Sequence, residues 1–184
     1  PNDDCADAIA LTLPATEFGT TLGASFDNVP SCYSLGGLST IDGVWYSVIG
    51  DGSEMSASLC TSGTDIQGAL SVFCSCGNLT CVAGAFNNCP AISSGAEVQW
   101  CSESGHEYLI LVESIGAPGP FILEVFPGST CDGPPAPCPD EFCGADHCED
   151  AGPVCPGITY NVDNYTATSD YLEALPNGDI DDIF

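Results

Sequence analysis

Lysine and arginine are both missing from these 184 residues, which carry 26 aspartates and glutamates and a formal charge of -26 at neutral pH. Apart from two histidines and a terminal amine, nothing in the chain can carry positive charge. Nucleic-acid binding needs Lys or Arg to displace counterions from phosphates, so DNA and RNA partners are excluded. Anionic membrane surfaces are disfavoured for the same reason. Phosphoryl transfer and nucleotide binding rely on a basic clamp, and no glycine-rich phosphate loop with its lysine occurs. Helical periodicity is missing over residues 1–128 as well, and no apolar run reaches membrane-spanning length, so no membrane insertion is expected.

The charge does not imply a disordered polyelectrolyte, because 44% of the residues are hydrophobic. With carboxylates as the only numerous charges, stability has to come from burial, hydrogen bonds and crosslinks. Mutual repulsion among them predicts greater stability at moderately acid pH or with added calcium, the one cofactor the composition suggests.

Thirteen cysteines suit an oxidising compartment, and the chain reads as extracellular, secreted or on a cell surface. It begins Pro1-Asn2-Asp3-Asp4-Cys5, so a signal peptide is expected to have been removed or to lie outside this segment. Spacing does not determine pairing; Cys5 with Cys32, and Cys76 with Cys81 across Gly77-Asn78, are the preferred bridges. An odd total leaves one cysteine either free or available for an intermolecular bond. Asn78-Leu79-Thr80 and Asn164-Tyr165-Thr166 are N-glycosylation sequons, with Asn78 and Asn164 as acceptors.

Short β-favouring runs separated by Gly, Ser, Asn and Pro predict an all-β, disulfide-stapled, jelly-roll-like sandwich over residues 1–128. Nine strands are expected: Ala8–Leu13, Phe18–Ala24, Gly43–Ile49, Met55–Leu59, Ala69–Phe73, Leu79–Ala83, Glu97–Cys101, Glu107–Glu113 and Pro120–Phe126. Met55, Ala57 and Leu59 alternate cleanly with Ser56 and Ser58, as a strand between core and water should. Tyr108, Ile110 and Val112 are instead opposed by Leu109 and Leu111, and Phe121, Leu123 and Val125 by Ile122 and Phe126. Such strands need cover on both faces, from a loop of the same chain or from a neighbouring molecule.

Residues 129–157 are rich in cysteine and proline and read as a linker or crosslinked knot that cannot continue a sheet. Residues 158–184 hold one further strand, with Ile158, Tyr160 and Val162 on one face and Tyr165 beyond, then a short helix from Ser169 to Leu175 and an acidic end. A lone strand must pair with some sheet edge, in its own molecule or in another copy.

The first 126 residues resemble the pre-peptidase C-terminal-like β-sandwich domains. The matching stretches are Asn2-Asp3-Asp4-Cys5-Ala6-Asp7-Ala8, Gly19-Thr20-Thr21-Leu22-Gly23-Ala24, Asp42-Gly43-Val44-Trp45-Tyr46-Ser47, Ser58-Leu59-Cys60, Asp65, Leu70-Ser71-Val72-Phe73, Cys76-Gly77-Asn78-Leu79-Thr80-Cys81-Val82-Ala83, and Gly105, Tyr108, Ile110, Leu111 and Val112. The resemblance implies a jelly-roll-like accessory domain of extracellular proteins, generally without catalytic activity and sometimes associated with calcium, adhesion or secretion. The tail is not covered by it.

Catalytic chemistry has little support. His106 sits in a turn with no nucleophile motif beside it, and with 26 acids a glycosidase-like carboxylate pair is uninformative. Cys143, His147 and Cys148 have near-zinc spacing, but the extracellular setting favours disulfides. Asp179, Asp181 and Asp182 lack the glutamate and spacing of a calcium loop. Trp45 falls in a core strand, leaving Trp100 and Tyr33 for an aromatic sugar platform. The leading expectation is a non-enzymatic secreted subunit that builds a filament or surface layer with other copies of itself, its C-terminal strand completing a neighbour's sheet. The alternative is a monomeric carbohydrate-binding or adhesion module, with glycans as partners.

Overall fold

Alternation of apolar and small polar residues, broken by glycine turns, produces ten strands in two sheets among the described residues. The computed structural model describes residues 2–27, 29–33, 41–77, 79–90, 94–135 and 138. In chain order the strands are β1 (Ile9–Ala10), β2 (Ala15–Thr20), β3 (Phe26–Asp27), β4 (Ile41–Ile49), β5 (Ser53–Ser58), β6 (Gly68–Phe73), β7 (Cys81–Phe86), β8 (Glu97–Cys101), β9 (Glu107–Ser114) and β10 (Pro120–Thr130), with a 3-10 turn at Cys5–Asp7. One sheet runs β1-β4-β9-β6-β7, with β3 also on β4; the other runs β2-β10-β5-β8. All pairings are antiparallel except the two-residue β1–β4 match.

The core lies between the sheets. Val44, Tyr46 and Val48 of β4, Tyr108, Ile110 and Val112 of β9, and Leu70 and Val72 of β6 meet Met55, Ala57, Val98, Trp100, Phe121, Leu123 and Val125 of the other sheet. Register explains the layering: Tyr46 lies opposite Ile110, which lies opposite Val72, so one row of side chains faces inward across three strands.

The opposite face of β9 is also buried. Leu109 and Leu111 pack with Trp45, Phe73 and Val29, against the partly buried Cys5, Ala8, Cys32 and Leu79. The cover therefore comes from the chain's own 5–8 and 29–32 segments. Two crosslinks pin these segments down, Cys5–Cys76 and Cys32–Cys81. All four expected cysteines are bridged, but the expected pairs are exchanged: Cys5 does not join Cys32, and Cys76 does not join Cys81. The physical reason is this second layer, since Cys76 and Cys81 flank the β6–β7 turn and each takes a cysteine from a different covering segment. Cys60–Cys89 and Cys74–Cys138 complete four disulfides among the described residues.

Several strand bounds differ from expectation. β2 occupies Ala15–Thr20 rather than Phe18–Ala24, because Thr21 leaves the sheet to bond Gly119, its N–H donating to the Gly119 carbonyl at 3.0 Å. Leu79 has φ of 46°, which interrupts extension and delays β7 to Cys81. β10 continues to Thr130, opposite Ser53, after a register shift beyond Pro127. Among the described residues no helix is long and apolar enough to cross a membrane.

Candidate functional site

Of the six exposed large apolar side chains among the described residues, Ile9, Phe18 and Leu22 border one hollow at a rim of the sandwich, while Phe26, Ile49 and Phe126 do not line it. Phe18 is 79% exposed, Leu22 72% and Ile9 42%, while most other large apolar side chains are buried. Alternation accounts for Phe18: on β2, Ala15 faces the core, so Phe18 faces out, opposite Ile122 of β10. Beyond Thr20 the chain turns through Gly23, whose φ of 85° suits glycine, and this turn presents Leu22.

These three residues border an open hollow of about 260 Å³ floored by Gly19, Val44 and Tyr46. Tyr46 stands edge-on to Phe121, with ring centres 6.3 Å apart. Burial pushes its phenol above the ordinary value, opposed by a hydrogen bond with the Asn2 side chain. Asn2 also fastens the N-terminal segment to β4: its Nδ2 donates to the Trp45 carbonyl at 2.9 Å and its carbonyl accepts from the Trp45 N–H at 2.8 Å. Asp3, on the polar lip, accepts from the Ser25 N–H at 2.6 Å and the Ser25 hydroxyl at 2.8 Å. Those bonds hold its carboxyl below the usual range.

Beside the hollow, β2 is the outer strand of its sheet, paired with β10 on one side and with no strand on the other among the described residues. An unpaired edge with apolar side chains next to it is suited to receiving an extended segment.

A second cluster lies where β4 ends. Cys74, His106 and Cys138 place their ligand atoms within 4.8 Å of one another, the one such trio of His, Cys, Asp or Glu among the described residues. Its sulfurs form the Cys74–Cys138 disulfide, which removes them as thiolate ligands. His106 lies edge-on to Tyr108 at 4.9 Å, and its Nε2 is buried without a hydrogen-bond partner. The imidazole packs on Tyr108 in the turn before β9, where the His106 N–H donates to the Glu103 carbonyl at 3.2 Å.

The structure separates the residues singled out from sequence. Trp45 is buried in the outer layer. Trp100 and Tyr33 are 5% and 8% exposed, so they do not form an aromatic platform. Ile158, Tyr160, Val162 and Tyr165, the sequon residues Asn78 and Asn164, the Ser169–Leu175 segment, His147 and Asp179, Asp181 and Asp182 lie outside the described residues. Sequence reasoning missed the Ile9, Phe18 and Leu22 rim. Its signal was the parity of β2, obscured by Glu17 on the inward-facing side.

No protein-family model matches this chain, and no curated protein matches it in a sequence search.

Proposed function

We propose that this chain is a secreted, non-enzymatic structural subunit, a pre-peptidase C-terminal-like sandwich that joins further copies of itself into an extracellular filament or surface layer. The observation that carries the reading is the exposed Phe18, Leu22 and Ile9 rim beside the unpaired edge of β2. The 158–167 segment, with Ile158, Tyr160 and Val162 at alternate positions and Tyr165 beyond, is the complementary donor: an extended strand would gain main-chain hydrogen bonds on β2 and place apolar side chains toward the hollow. Donation from one copy to the next is head-to-tail and does not close, which yields a filament. The lack of basic residues makes such a polymer resistant to trypsin-like proteases, and Asn78 and Asn164 are its sites for N-glycans.

The rival reading, a monomeric carbohydrate-binding or adhesion module, relied on Trp100 and Tyr33, and both are buried. Deletion of residues 157–184 tests the proposal. Electron microscopy and sedimentation should show polymer from the full chain and soluble monomer from the truncated one; undiminished polymerisation of the truncated chain discards the mechanism. Phe18→Glu, which alters only an exposed side chain, should weaken association while leaving the melting temperature within about 2 °C.

A further inference from the structure

Ten cysteines lie among the described residues, and eight of them are bridged. The two left over, Cys101 and Cys131, come from strands separated by a third. Cys101 ends β8 opposite Glu54, and Cys131 directly follows Thr130, which lies opposite Ser53. Both thiols therefore arrive at the first residues of β5, one from each side. There the Cys131 thiol hydrogen-bonds the Cys101 sulfur and lies beside the Ser102 backbone. Each cysteine is half-buried, so a small reagent has access.

We propose that Cys101 and Cys131 form a fifth disulfide, closed by a low-molecular-weight disulfide such as oxidised glutathione, which ties β8 to β10 across the start of β5. The hydrogen bond to Cys101 and burial push the Cys131 thiol up to about 11. Cys131 is thus the poorer first nucleophile. The Cys101 thiolate attacks one sulfur of the reagent, breaking its S–S bond and releasing one thiolate. A mixed disulfide remains on Cys101. Cys131 then loses its proton to solvent and attacks the Cys101 sulfur, forming the protein bridge and expelling the second reagent thiolate. Two electrons pass from the protein thiols to the reagent, and the two protons lost from the protein are taken up by the released thiolates.

The bridge has a structural and an arithmetical consequence. β10 shifts register between Pro127 and Thr130, so its last residues are held to β5 less regularly than the rest. A crosslink at residue 131 anchors that end. It also pairs every cysteine among the described residues, which places the unmatched cysteine of the thirteen among Cys143, Cys148 and Cys155.

The full chain, refolded in a mixture of reduced and oxidised glutathione, is denatured without reductant, alkylated with iodoacetamide and digested with pepsin, since trypsin has no site. Mass spectrometry should find the peptides containing Cys101 and Cys131 joined, two hydrogens lighter than the dithiol, and unlabelled until reduction. In Cys131→Ser, Cys101 should become labelled without reduction or carry glutathione. Labelling of both cysteines in the oxidised wild-type chain, with the other four bridges intact, overturns the proposal. So does protection that a zinc chelator removes, since that is the mark of a metal-bound dithiolate, and so does linkage of either cysteine to a different partner.

Discussion

The indole Nε1 of Trp45 donates to Asp27 Oδ1 at 3.0 Å, joining the largest side chain of the outer apolar layer to a half-buried carboxylate on β3. Burial pushes Asp27 up to about 6 from 3.8, helped by the negative charges of Asp3 and Asp4, while the Trp45 bond and the Gly43 backbone pull the other way. A raised carboxyl means that the fold disfavours the ionised form. Stability from this group is present in full below about 4 and is lost as pH rises through 6.

Asp27→Asn keeps an oxygen for the Trp45 indole and removes the titration. The variant should melt higher than wild type at pH 7 and equal to it near pH 4. Melting temperatures taken at intervals between these limits decide the matter, and parallel curves for the two proteins would sink the assignment. Asp3 and Asp51 are held below their ordinary values by hydrogen bonds from Ser25 and Ser53, so their contributions disappear only in more acid solution and do not overlap this window.

The two-faced strand Glu107–Ser114 was legible in the sequence because five consecutive apolar residues cannot alternate, and the structure buries Tyr108 through Val112 without exception. The core-facing set Met55, Ala57 and Leu59 was equally readable, but the opposite face is not open to water throughout, since Ser58 is buried too. What covers Leu109 and Leu111 was not, since it depends on residues about 80 to 105 positions earlier returning over the sheet, and periodicity carries no information at that range. The disulfide pairs failed for the same reason: four cysteines allow three connectivities, and only the second layer selects one. The rim fared worst, because Phe18 looked like a strand opening when it is an outward residue near a strand's end. The strand expected over residues 158–167 lies outside the described residues.

Cys32–Cys81 holds the 29–33 segment over Trp45, Phe73 and Leu111, with Cα atoms 5.5 Å apart. Replacing both cysteines by serine should lower stability by about 2–4 kcal/mol, the usual range for such a bridge. Because Trp45 loses cover, its fluorescence should shift to longer wavelength before global unfolding. An unchanged spectrum through the early part of a urea titration would show that the segment stays in place without its bridge.

Ser71 and Glu113 sit side by side on β6 and β9, both buried, with the serine hydroxyl donating to Glu113 Oε2 at 3.1 Å. No lysine or arginine exists to partner this acid, so neutral donors have to serve. Ser71→Ala should destabilise by about 1–3 kcal/mol, the penalty for withdrawing a hydrogen bond from a buried acceptor. Denaturant unfolding measures it, and a midpoint equal to wild type would mean that the remaining contacts of Glu113 suffice.

Gly19 links the hollow to the core. It lies opposite Phe121, and a Cβ at this position would run into the Phe121 ring and, at 2.6 Å, the Tyr46 hydroxyl. Both aromatics are buried and packed against one another, so neither can swing aside cheaply. Gly19→Ala should therefore destabilise by about 1–3 kcal/mol through overpacking, although alanine tolerates an extended backbone better than glycine does. Phe18→Glu, one residue away but facing water, should leave unfolding unchanged and act on association alone. Measuring both variants by denaturant unfolding and by sedimentation separates the two sides of β2: a stability loss confined to Gly19→Ala, with an association loss in Phe18→Glu, assigns the inner face to folding and the outer face to assembly. If Phe18→Glu associates as wild type does, the rim has no part in joining copies.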